Sequence, residues 1–197
     1  MQPFYQGKLD VFCAIYAVLN AFQKLSGISV WQAKSLLMEI LLRLPEENPQ
    51  GWRACVRNET DYIWLVAELL QTYGTNMGLA WHRPWADYAE ERNEPAVIPG
   101  DIWTTMAEWT ARHPGSRTAV FRFRRYIPPR ELPVVCHWTV ADRFMGDTLF
   151  LFDASKEESA VHFLDRGGFA VRRAVVPSGC QIVLEPAAIF LLERQAV

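Results

Sequence analysis

The sequence predicts an α+β fold, on three observations. Apolar stretches with helical spacing fill the first half, and period-2 stretches fill the second. Gly27, Pro45, Gly74 and Pro114-Gly115 fall where helices should stop, whereas Met145-Gly146-Asp147 joins two apolar runs as a hairpin. The length of 197 residues, 50% of them hydrophobic, is enough for one sizeable core. The expectation is one domain over 1–197, helical over about 1–115 and sheet-forming over about 116–197.

Asp10 is the expected N-cap of a helix over Val11–Leu25, with Gly27 as its stop. Val11, Phe12, Ile15, Val18, Leu19 and Phe22 leave hardly a polar face, as in a helix buried on most sides. Ser29 and Gln32 form a capping box for a second helix, running to about Arg43 before Pro45. Pro45–Arg57 reads as polar and turn-rich. Thr60 caps a third helix over Asp61–Tyr73, and Pro84–Gly100 reads as irregular. Asp101 caps a short helix through His113. Strands are expected at Thr118–Tyr126, Pro133–Phe144, Thr148–Asp153, Ala160–Leu164, Phe169–Val175, Gln181–Glu185 and near Ile189–Leu192.

Composition removes several function classes. A net charge of −2, from 20 basic and 22 acidic residues, does not suit a protein that coats nucleic acid. Four cysteines, at 13, 55, 136 and 180, show no paired spacing, so no disulfide framework is expected. There is no CxxC or HExxH, and Cys136-His137 is adjacent rather than at ligand spacing, so neither metal nor cofactor is expected. The longest apolar run, Val11–Phe22, is interrupted by Asn20 and falls short of the ~20 residues that cross a bilayer. It also lacks a small-x-small cleavage site. The expected setting is the cytoplasm with free thiols, or a route without a cleavable signal peptide.

Cys13 then stands apart from the other thiols. It falls in the first turn of the buried helix, where the partial positive charge of the helix terminus favours a thiolate. A small core residue is the alternative reading. A nucleophile needs a base, and the base an orienting group. His113 ends a helix, His82 lies beside Trp81 ahead of Pro84, and His162 has no acid at a useful offset. His137 does. If the loop is Met145-Gly146-Asp147, Phe144 faces Thr148 and Thr139 faces Asp153, making Asp153 the diagonal neighbour of His137. A register shift of one residue would break this geometry. Asp142, the competing acid, falls on the opposite face. Gln6, seven positions before Cys13 and next to Gly7, can bring an amide over the helix start as an oxyanion donor, beside the Cys13 backbone N–H.

The run Gln6-Gly7-Lys8-Leu9-Asp10-Val11-Phe12-Cys13-Ala14-Ile15-Tyr16-Ala17-Val18-Leu19-Asn20-Ala21 resembles the nucleophile helix of papain-like cysteine peptidases. It is closest to the branch that includes the bacterial leader peptidases cutting after double glycine. His137-Trp138-Thr139-Val140, a hairpin and Asp153 are similar to that branch's histidine and aspartate block. The resemblance implies Cys13 as nucleophile, His137 as general base, Asp153 as orienting acid and Gln6 as oxyanion donor. It also implies a papain-like fold, with the cysteine helix packed on an antiparallel sheet and the site in the cleft between. It covers two blocks of 16 and 17 residues. Gln6 stands one residue further from the cysteine than is usual, Ala14 replaces the common glycine, and Asp10 is in an unusual place.

The leading expectation is therefore a thiol hydrolase, a cysteine peptidase acting on a peptide or protein. The same triad would also serve an amidase, a glutamine deamidase or an acyltransferase. A third reading is a non-catalytic binding module, with Trp81, Trp85, Trp103, Trp109 and the basic run Arg122, Arg124, Arg125 and Arg130 forming a partner surface. Core packing and a solvated strand face are the bland readings of those residues. Oligomeric state is not legible in the sequence.

Overall fold

The computed structural model describes residues 1–6, 12–88, 98–155, 160–171 and 179–195. Among these described residues, five α-helices and six strands follow one another as α1 (Cys13–Ser26), α2 (Val30–Glu47), α3 (Pro49–Val56), α4 (Ile63–Leu69), β1 (Leu79–His82), α5 (Pro99–Arg112), β2 (Arg117–Tyr126), β3 (Val135–Met145), β4 (Thr148–Leu151), β5 (Phe163–Asp165) and β6 (Gln181–Arg194). The strands form one antiparallel sheet in the order β1-β6-β2-β3-β4-β5. The expected α+β arrangement, helices first and an antiparallel sheet afterwards, is what the chain adopts.

The two faces of the sheet bury different helices. Val120, Trp138, Val140, Phe190 and Leu192 pack with the apolar residues of α1, α2 and α4. Their strand neighbours Phe121, Ala141, Ile189 and Leu191 face the other way, onto Ile102, Trp103 and Met106 of α5. This alternation follows from the two-residue period of a strand. It puts α1 against the sheet on one side and α5 on the opposite side. The middle tryptophans belong to this packing: Trp81 lies against Phe190, and the Trp109 Nε1–H donates to the Leu192 carbonyl.

Several local expectations hold. Gly27 closes α1 in the left-handed region (φ 70°), and Ser29 and Gln32 make the reciprocal capping box. Others need correction. Helix α2 runs through Pro45 to Glu47, because a proline so near the helix end removes one late backbone bond. Asn48 then caps α3, with Pro49 in the first turn, where the missing N–H costs nothing. The third helix begins later than expected: Tyr62 sits at φ 63°, and the Asp61 carboxylate accepts from the Ile63 N–H. Gly74 does not stop it; a π turn over Leu70–Gly74 and a 3₁₀ turn carry it to Gly78, at φ 69°. Pro99, not Asp101, opens α5.

In the sheet, β1 was not anticipated, and it pairs with the far end of β6. The two strands expected at Gln181–Glu185 and Ile189–Leu192 are one strand interrupted by a bulge. Pairing steps from Phe121–Ile189 to Phe123–Leu184, so Glu185–Ala188 bows out around Pro186, which has no N–H to offer a ladder. The Arg83 guanidinium donates to the Ala187 carbonyl in the bulge. In the expected strand Phe169–Val175, Ala170 bridges Val183, and 172–178 lie outside the described residues. Among the described residues, no helix is long and apolar enough to cross a membrane.

Trp138 ties the two halves together. Its ring is fully buried between sheet and helices, and its Nε1–H donates to the Asp61 carbonyl at 3.0 Å. Trp138→Phe is expected to leave that carbonyl without its donor and to cost about 1–3 kcal/mol. The midpoint of urea unfolding measures it; an unchanged midpoint would contradict the tie.

Candidate functional site

Cys13 is the first residue of α1, with Phe12 as the N-cap. The expected N-cap, Asp10, lies outside the described residues. Cys13 is therefore earlier in the helix than the reading from Asp10 implied, though still in the first turn. The first intrahelical bond runs from the Tyr16 N–H to the Phe12 carbonyl, so the Cys13 N–H has no acceptor within the helix. The thiol itself is buried.

His137 is in β3, opposite Phe123, whose ring meets the imidazole edge-on at 5.8 Å between centroids. Its Nε2 lies 3.0 Å from both Asp153 oxygens. Cys13, at the start of α1, lies close enough to the ring to raise its proton affinity. Asp153 is buried, and its Oδ1 also accepts from the Ser155 N–H at 2.7 Å. The carboxylate is thus held by backbone as well as by the ring.

The hairpin brings His137 and Asp153 together by a different route from the one expected. The turn has two residues, Gly146-Asp147, with Gly146 at φ 59°; Met145 pairs with Thr148, Phe144 with Leu149 and Arg143 with Phe150. That register is one residue away from the expectation. A bulge at Asp142 then restores it, so Ala141 pairs with Leu151 as expected. The Phe152 N–H still donates to the Val140 carbonyl, and Asp153 follows where the ladder ends. Asp142 is not an alternative acid: it pairs with Lys24 of α1 at 2.8 Å and with Arg143. Burial opposes its ionisation, but Lys24 and Arg143 hold its carboxyl below the usual range.

Burial disfavours a charged His137 ring, yet the hydrogen bond and negative charge of Asp153, with Cys13 nearby, outweigh it. The imidazolium is stabilised up to about 10 from an ordinary 6.5. Because the folded value is raised, this stabilisation is complete below pH 6.5 and is lost as pH climbs from there to about 10.

Gln6 is placed beside the acid. Its backbone N–H donates to the carbonyl of Ala154 at 2.9 Å, one residue beyond Asp153. The stretch 7–11 between Gln6 and Phe12 lies outside the described residues. The other thiols have different surroundings. Burial pushes Cys55 up to about 11, and Cys136, although its residue is exposed, has its thiol raised by partial desolvation. None of the four cysteines is in a disulfide.

Two features escaped the sequence reading. Asn20, noted only as a break in an apolar run, is fully buried and bonded to the backbone of Phe4. Arg122 and Arg124, read as a solvated face or a partner surface, both pair with Glu185 of the β6 bulge. A buried helix with one amide side chain is a readable signal; the bulge that supplies Glu185 is not. Among the described residues, no group of three or more His, Cys, Asp or Glu side chains is placed to hold a metal. Comparison with protein-family models, curated proteins and solved structures finds no significant match to the chain.

Asp153→Asn is expected to lower the His137 titration from about 10, since the burial penalty remains and the Asp153 charge is gone while Cys13 stays. Imidazole proton NMR against pH reads this directly; a titration unmoved by the substitution would contradict the pairing.

Proposed function

We propose that the chain is a thiol hydrolase, a cysteine peptidase that cleaves an amide bond in a peptide or protein through a Cys13–His137–Asp153 triad. The observation that carries this reading is an imidazole whose Nε2 is held by a buried carboxylate, with a helix-start thiol close enough to raise its proton affinity. The papain-like resemblance of the two blocks around Cys13 and His137 supports it.

In this reading the proton of the Cys13–His137 pair rests on the imidazole, and the Cys13 thiolate attacks the carbonyl carbon of the scissile amide. The tetrahedral oxyanion is met by the Cys13 N–H and the Gln6 amide. As the C–N bond breaks, His137 gives its proton to the leaving amine and a thioester remains on Cys13. Water, losing a proton to His137, then attacks the thioester and releases the acid. Asp153 stays ionised throughout, fixing the ring orientation and balancing the imidazolium.

Reactivity should run against exposure. Cys136 and Cys180 are exposed and Cys13 is buried, so an unactivated set of thiols would react in the order of access. Iodoacetamide at neutral pH is expected to modify Cys13 at least tenfold faster than Cys136 or Cys180, and His137→Ala to abolish that lead. Peptide mapping by mass spectrometry follows all three thiols. Preferential labelling of Cys136 and Cys180 in the unaltered protein would overturn the reading.

A further inference from the structure

Asn20 lies seven residues after Cys13 on α1, two turns further along a helix that is buried almost throughout. An amide with no exposure must find partners inside the protein. Asn20 finds both on one residue of another segment. Its Oδ1 accepts from the Phe4 N–H at 2.6 Å, and its Nδ2 donates to the Phe4 carbonyl at 3.2 Å. This two-way clasp offers Phe4 the donor and acceptor that a neighbouring strand would offer. Two residues on, the Gln6 N–H donates to the Ala154 carbonyl. Residues 4–6 are therefore pinned at one end to the helix that begins with Cys13. At the other end they are pinned to the segment that carries Asp153.

We propose that Asn20 is a positioning residue: its clasp on Phe4 fixes the backbone that presents the Gln6 amide to the oxyanion. The inference rests on the hydrolase reading and deepens it, by assigning a buried helix residue to the geometry of a donor on a different segment. A plain core asparagine would satisfy its amide with no consequence for Gln6. The bridge between the two carriers of the triad gives this one a consequence.

The test separates a step that builds an oxyanion from one that does not. With p-nitrophenyl acetate, the Cys13 sulfur forms a bond to the acetyl carbon, the ester C–O bond breaks, p-nitrophenolate leaves and the proton of the pair stays on His137. With iodoacetamide, sulfur displaces iodide at a saturated carbon and no oxyanion forms. Gln6→Ala and Asn20→Ala are each expected to slow acetylation of Cys13 roughly tenfold to a hundredfold. Alkylation should stay within about twofold of the unaltered protein. The double variant should be no slower than either single one, because both remove the same donor. Asn20→Ser, neutral and still able to hydrogen-bond the Phe4 backbone, should recover part of the loss; it carries the test if Asn20→Ala does not fold. Normal acetylation in the Asn20 variants while Gln6→Ala is slow would overturn the proposal. So would normal acetylation in Gln6→Ala, losses that multiply in the double variant, or equal slowing of both reactions. If the unaltered protein shows no acetylation beyond that of Cys13→Ala, the hydrolase reading itself fails, and the Asn20 proposal falls with it.

Discussion

The carboxylate of Asp153 against Nε2 of His137, away from water, is the interaction around which the site is built. A buried carboxylate is costly unless its charge is met. Here it is met by an imidazole on one side and a backbone N–H from Ser155 on the other. The same contact fixes the orientation of the ring, with Cys13 nearby. The burial that makes the charge expensive also makes the pairing strong, and it sets the raised proton affinity of His137.

That interaction makes strict demands on the backbone. Asp153 lies just past the end of β4 and His137 near the start of β3, so the two meet only if the hairpin between them keeps register. A bulge at Asp142 supplies the missing residue, and Asp142 is itself held by Lys24 of α1. Helix α1 thus meets the hairpin at both ends, with Cys13 near His137 at its start and Lys24 on Asp142 in its last turn. The clasp of Asn20 on Phe4 gives α1 a third hold on its surroundings. Sheet register, helix placement and site geometry are one problem here.

Much of this was legible in the sequence where a rule is local. The capping box at Ser29, the Gly27 stop and the helix-then-strand order follow from neighbouring residues. Cys13, His137 and Asp153 stand out from a helix start and a two-residue period, and the structure pairs His137 with Asp153 and sets Cys13 near the ring. The hairpin reading reached the right pairing at Ala141–Leu151 with the wrong turn, because a three-residue loop and a two-residue loop with a bulge place Asp153 alike. What was not legible depends on tertiary partners. Strand β1 exists because β6, paired with β2 along one edge, offers its other edge at Leu191–Arg194, and β6 reads as two strands because its bulge hides their continuity. The role of Asn20 needed Phe4 in view.

The central claim is that Cys13 and His137 work as one unit on an acyl substrate, and the covalent intermediate tests it most directly. A mixed peptide pool is reacted with the protein for milliseconds to seconds, quenched in acid and examined by mass spectrometry of the Cys13 peptide. The account predicts a thioester on Cys13 that forms and decays in the unaltered protein. In His137→Ala it should form far more slowly, and Cys136 and Cys180 should stay unmodified. An acyl group that resides on another residue, or forms on Cys13 at the same rate without His137, would contradict it.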